Sequence, residues 1–247
     1  MRRTLRACMP STPVTVPPDS PRRRPRPELS RGRILEVAIA LIDERGLAAL
    51  GMRDLGAALG ATTMAVYRHF ASKAELLEAI MDAVVSDYAP TGPQRPWPEE
   101  ARDLSRRVRA SLLRHPELAD VAGREFRRSE TSLRVNAAII ERLQAGGVPA
   151  PFLPQVYWTL SSYTTGFALL EAQALRRRGV TPPGPAVARM RKISGFLAQV
   201  DGLSATTREE AAAVLARPLD DTQFEFGLET IIAGLAARFA AADQAQA

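Results

Sequence analysis

Thr62, Thr63, Tyr67, Arg68, His69 and Lys73 crowd hydroxyls, a phenol, a guanidinium, an imidazole and an ammonium into one short stretch. Such groups suit phosphate oxygens and the edges of nucleic-acid bases: an arginine pairs bidentately with guanine, while hydroxyls and cations hold the backbone and fix register. Two short helical patterns, Met52 to Leu59 and Thr62 to Phe70, meet at Gly60, whose permissive backbone suits a sharp turn. This is the layout of a helix-turn-helix that presents its second helix to DNA.

The surrounding sequence supplies the elements that would hold that pair. Ile34, Leu35, Ala38, Ile39, Leu41 and Ile42 form one face of a first helix, with Ser30 as its N-cap and Gly46 as its stop. Leu55 and Leu59, then Val66 and Phe70, are the inward positions of the next two. Ser72 to Glu75 spells a capping box, so a fourth helix starts there and runs through Leu76, Leu77, Ile80 and Val84. The Pro-rich stretch from Ala89 to Pro98 reads as a hinge, after which helical patterns return at 99–115, 117–127, 129–145, 153–178, 185–200, 207–216 and 222–242. With no run of alternating strands, the expected fold class is all-α. Its expected units are an Arg/Pro-rich arm over 1–29, a helix-turn-helix head over 30–88, and a helical regulatory and dimerisation body over 96–243.

The formal charge of +6 is concentrated in the arm, because residues 1 to 33 carry nine arginines against Asp19 and Glu28. The segment from Ile34 to Glu75 has four basic and five acidic residues, so the head is not a generic basic patch. The arm is either a solvated leader, too rich in proline to bury a core, or an auxiliary DNA arm whose arginines release counterions from phosphates. Cys8 is the only cysteine, which excludes an intrachain disulfide and a thiolate zinc site, and a cytoplasmic protein is expected. The longest uncharged stretch, Leu143 to Leu170, is broken by Gly146, Gly147, Pro149, Pro151 and Pro154, so no membrane span is expected. Two histidines, one cysteine, and no HExxH, phosphate loop or paired nucleophile and base argue against an enzyme; no cofactor or metal is expected.

Over residues 30 to 78 the chain resembles the tetracycline-repressor (TetR) family, through Tyr67-Arg68-His69-Phe70, Lys73 and the pair Leu76-Leu77. A weaker resemblance to the tetracycline-repressor branch covers the body, from Trp97 through Leu112-Leu113-Arg114 to the late stretch Phe224 to Leu235. The resemblance implies DNA contacts at Arg53, Thr62, Thr63, Met64, Ala65, Tyr67, Arg68, His69 and Lys73. The residue types agree: Arg53 reaches a base or phosphate, and Met64 or Ala65 meets a thymine methyl. It also implies a homodimer on a double-stranded palindromic operator, two recognition helices reading half-sites about 34–36 Å apart. One departure concerns the ligand. Where tetracycline-binding members use a body histidine toward a magnesium–drug complex, this chain aligns Ala122, so magnesium–tetracycline is not the expected effector.

The pattern from Pro154 to Ala174 has Glu171 as its only charge and must be covered on most of its surface. Core packing with a dimer seam is one reading; a ligand pocket lined by Trp158, Ser162 and Thr165, with Leu112 and Phe126 from earlier helices, is the other. With the last helix, through Ile231, Ile232, Leu235 and Phe239, the long helix would build a four-helix seam between two copies. The expected function is a repressor released from DNA by a small apolar or amphipathic molecule; the alternative is a DNA-binding regulator with no such effector.

Overall fold

Ser30 opens the first helix by accepting the Arg33 amide, and Gly46 closes it at φ 81°, bounding α1 at Arg31–Arg45. The computed structural model describes residues 29–118, 129–180 and 186–246, so the expected arm, apart from Leu29, lies outside the described residues. Every element among the described residues is helical. After α1 come α2 (Met52–Ala58), α3 (Thr63–Tyr67) and α4 (Lys73–Ser86), then α5 (Trp97–Arg114), α6 (Glu130–Ala145) and α7 (Leu153–Val180). A pair, α8 (Ala186–Leu197) and α9 (Ala205–Leu215), precedes α10 (Asp221–Gln246). The helix expected at 117–127 falls almost wholly outside the described residues.

Two apolar cores result, and α4 serves both. Its Leu76, Ile80, Met81 and Val84 join α1, α2 and α3 in the head core, whereas Val85 and the following Tyr88 belong to the body core of α5, α6, α7 and α10. The exchange also runs the other way. Leu112 of α5, Leu118 just beyond it and Ala168 of α7 are buried in the head core. Polar bonds reinforce the joint: the Ser111 hydroxyl donates to the Val84 carbonyl at 3.1 Å, Arg114 bonds Asp87, and His115 Nδ1 lies 2.8 Å from Asp43 of α1.

The Pro-rich stretch after α4 is a pinned strap, not the hinge that its composition suggested. Arg107 donates to the Ala89 carbonyl and to Thr91; Arg142 donates to the Gly92 and Pro93 carbonyls and to the buried Glu100; the Trp97 amide donates to the Gly146 carbonyl at 2.7 Å. Gly146 is required there, because a Cβ would stand 2.8 Å from the Arg95 oxygen and the Trp97 nitrogen. A second fastening joins α5 to α10 through bidentate pairs Arg102–Glu229 and Arg106–Glu225, while Arg109 holds Glu171 of α7 and Asp221. Planar guanidinium–carboxylate forks fix geometry as well as charge, so they hold these three helices in register.

Candidate nucleic-acid interface and body cavity

The turn between α2 and α3 is built by two glycines with different duties. Gly60 takes φ 62°, a left-handed conformation that a side chain would strain. Gly56 lets the helices touch: a Cβ there would meet the Ala61 oxygen at 3.2 Å and the Thr63 nitrogen at 3.3 Å. The Ala61 amide donates to the Gly56 carbonyl at 2.9 Å, and the Thr62 hydroxyl accepts the Ala65 amide at 3.2 Å, capping α3. Val66 and Phe70 are fully buried, which sets the rotation of the short helix. At 100° per residue, Met64 and Arg68 then occupy its outermost line, and Met64 is 68% exposed. Tyr67 flanks them, exposed; Thr63, Ala65 and His69 are half-buried. Arg53 near the start of α2, Thr62 and Lys73 at the first position of α4 are exposed as well. Of the nine head residues, Arg53, Thr62, Met64, Tyr67, Arg68 and Lys73 are thus exposed, with Met64 and Arg68 outermost on α3.

Arg31, absent from the sequence-derived set, ties this end together. Its guanidinium lies 4.1 Å above the Phe70 ring, donates to the His69 carbonyl, and pairs with Glu75 at 3.0 Å. Glu75 in turn accepts the Ala71 amide at 2.6 Å, while its own amide donates to the Ser72 hydroxyl. The capping box is thus displaced by one residue on its return bond. The Ala71 amide, and then Arg31, hold the Glu75 carboxyl below its ordinary pKa, so it stays ionised. The only sequence signal for Arg31 was its place at the start of α1, because its partners lie across the turn between α3 and α4.

In the body, a cavity of about 50 Å³ lies between α5, α6 and α7, below the end of α4. Leu104, Val108, Ile139, Leu143 and Leu160 give it apolar walls, whereas Ser105, Ser161, Thr164 and Thr165 bring hydroxyls, and Tyr88 and Tyr157 also line it. Among the described residues no charged side chain lines it. Burial first, with Tyr157 second, pushes the Tyr88 pKa up, so that phenol stays neutral. Tyr157 donates to the buried Asn136 amide oxygen at 2.7 Å. The Thr164 hydroxyl is buried with no hydrogen-bond partner.

The five body residues singled out from sequence separate here. Thr165 lines the cavity; Trp158 and Ser162 are exposed and do not line it; Leu112 is buried in the head core instead; Phe126, like Ala122, lies outside the described residues. The correction on α7 is a rotation of one residue, about 100°, from Trp158 and Ser162 to Tyr157 and Ser161. Ile232, Leu235 and Phe239, expected at a seam, are buried in the body's own core, and among the described residues the exposed large apolar side chains of α7 and α10 are Trp158, Leu170 and Phe226. Among the described residues no cluster of His, Cys, Asp and Glu could hold a metal, and no helix is long and apolar enough to cross a membrane.

Residues 34–80 match the profile of bacterial regulatory proteins of the tetR family, and residues 89–239 match the tetracyclin repressor-like C-terminal domain. The chain belongs to the TetR family. It is a DNA-binding transcriptional regulator with a helix-turn-helix head. Among its relatives, the HTH-type transcriptional repressor DrrR1 of Streptomyces coeruleorubidus is 28% identical over 87% of this chain and 80% of its own length. The HTH-type transcriptional repressor Rv1353c of Mycobacterium tuberculosis is 26% identical over 87% of this chain and 83% of its own. ActR of Streptomyces coelicolor, solved in complex with actinorhodin, superposes with a TM-score of 0.67 at 27% identity, covering 85% of this chain and 98% of that one. These are transcriptional regulators rather than enzymes, and the all-helical architecture described above is that of the family.

Proposed function

We propose that this TetR-family regulator is a homodimeric repressor that reads a palindromic operator through α3 and is released when a small molecule enters the body cavity. The observation that carries the first half is the rotation of α3: Val66 and Phe70 buried behind it, Met64 and Arg68 foremost. Arg68 is placed to fork onto a guanine and Met64 to meet a thymine methyl. In this reading Thr62, Thr63, Tyr67, His69 and Arg53 supply backbone contacts and lesser base contacts, and Ala65 a contact to a base. Lys73 sits at a helix N-terminus, where the dipole disfavours a cation and favours an anion, a placement that suits a phosphate.

The outer faces of α7 and α10 support the dimer. Trp158, Leu170 and Phe226 are exposed there, and a Cβ at Gly166 or Gly234 would meet open space, so two backbones can approach closely. Release rests on the shared cores. The cavity is about 50 Å³, a third of the ~150 Å³ that holds benzene in an engineered core, so a larger body must move α5 against α7. α5 and the turn after it place Leu112 and Leu118 in the head core, so that displacement reaches α1 and α4. A ligand shifts DNA affinity only by its differential affinity for the two arrangements. The complex of ActR with actinorhodin supports a small-molecule effector, and the repressor names of DrrR1 and Rv1353c support the sign.

The test is selection of bound duplexes from a random pool, with the stoichiometry measured on the winner. A two-half-site palindrome holding a pair of chains is the expected result. Binding without a motif would defeat the proposal.

A further inference from the structure

Among the described residues the cavity has a chemical signature of its own: its lining carries no charged side chain, and one buried hydroxyl there has no partner. Thr164 is 2% exposed, yet its Oγ1 makes no hydrogen bond, although a helical threonine can bond the carbonyl one turn back. A hydroxyl buried in this way is costly to leave unmatched, and the neighbouring side chains do not match it. Ser161 and Thr165 lie beside it on the same face of α7, while Leu104, Val108, Ile139 and Leu143 stand across the space on α5 and α6. The α7 wall therefore offers most of the hydroxyls, with Ser105 of α5 adding one, and the rest of those two facing walls is hydrocarbon. A carboxylate or ammonium placed there would meet no counter-charge and would lose its hydration. An oxygen on an apolar frame would lose nothing, because Thr164 can donate to it or accept from it.

We propose that the part of the effector seated between α5 and α7 is uncharged, with an apolar body and one hydroxyl or carbonyl oxygen that hydrogen-bonds Thr164, any charge it bears remaining outside the cavity. This rests on the reading of the cavity as the effector site and adds the chemistry of what it selects. Thr164 thereby becomes the residue that discriminates an oxygenated ligand from its hydrocarbon analogue. A site that hydrogen-bonds a ligand oxygen rejects the analogue lacking it more strongly than an apolar site rejects a changed hydrocarbon, because its own polar group is left unpaired.

The test uses three probes of one shape, 2-naphthol, naphthalene and 2-naphthoate, titrated by calorimetry into the full chain and into Thr164→Val, an isosteric change that removes only the hydroxyl. Naphthol is expected to bind the wild type about tenfold more tightly than naphthalene, the worth of one net hydrogen bond. The variant should bind the two equally, with naphthalene's affinity unchanged and a melting temperature no lower than the wild type's. Naphthoate should bind neither. Tight naphthoate binding, a naphthol preference that survives in Thr164→Val, or no binding by any probe would overturn the inference. Operator titration in the presence of naphthol separates the two claims. Thr164-dependent binding that leaves operator affinity unchanged would sustain the cavity's chemistry and remove its role in release.

Discussion

Replacing Gly56 with alanine adds one methyl group at the tightest point of the helix-turn-helix. In an ordinary helix the change would stabilise by about 1 kcal/mol, through helix propensity. Here the new Cβ would stand 3.2 Å from the Ala61 oxygen, 3.3 Å from the Thr63 nitrogen and 3.4 Å from the Thr62 carbonyl carbon. All three are backbone atoms, so no side chain can swing aside, and α2 and α3 must separate by a few tenths of an ångström. Overpacking of this kind costs about 1–3 kcal/mol, so the net effect on stability ranges from none to about 2 kcal/mol. DNA binding should suffer more than the fold does. The displaced atoms include the cap of α3, and loss of one well-placed base contact, worth about 1–3 kcal/mol, lowers operator affinity about 5- to 150-fold. Binding to a scrambled duplex, carried by phosphates, should change little. Fluorescence anisotropy titrations against both duplexes, paired with thermal melts, read these quantities. Operator affinity within twofold of wild type would refute the claim that Gly56 sets the position of the recognition helix.

Leu118→Ala should destabilise the chain by about 3 kcal/mol, since the side chain is fully enclosed in the head core; a melting temperature lowered by roughly 6–12 °C is expected, and a loss of under 2 °C would contradict that seating. Arg31→Ala should weaken operator binding several-fold while leaving the dependence of affinity on salt unchanged, because the guanidinium acts through His69, Phe70 and Glu75; a salt slope reduced by about 0.9 would instead make it a phosphate contact. Phe226→Arg places a charge on the proposed seam, and sedimentation should show monomers that retain their helix content; an undiminished dimer would move the seam elsewhere.

The head was readable in the sequence because its signals are local. Ser30, Thr62 and Ser72 cap helices by bonding amides three residues on, Gly60 marks the turn, and Val66 and Phe70 phase α3 without reference to the rest of the chain. The body was readable only in outline. From Pro154 to Ala174, α7 carries Glu171 as its sole charge, so no polar stripe fixes its rotation, and Trp158, one candidate for a pocket wall, is exposed while Tyr157 lines the cavity. The final helix misled in the same way, its Ile232, Leu235 and Phe239 serving the subunit's own core. The strap at 89–97 failed for a different reason. Its composition predicts looseness, but its fastenings come from Arg107 on the helix that follows and from Arg142, 49 to 50 positions away, and Glu100, an acidic residue in a helix's first turn, gives no sign from sequence that it will be buried against Arg95 and Arg142. Arg31 was missed likewise, as its partners lie 38 to 44 positions away.

The most direct measurement is a repeat of the selection from random duplex DNA with wild type and Arg68→Ala side by side. If α3 reads the operator as its rotation indicates, the wild type yields a palindrome and the variant relaxes one base position in each half-site, symmetrically, with the other positions retained. An identical motif from both proteins, or a loss of affinity uniform across all sequences, would mean that Arg68 holds phosphate or nothing, and that the operator is read by another face.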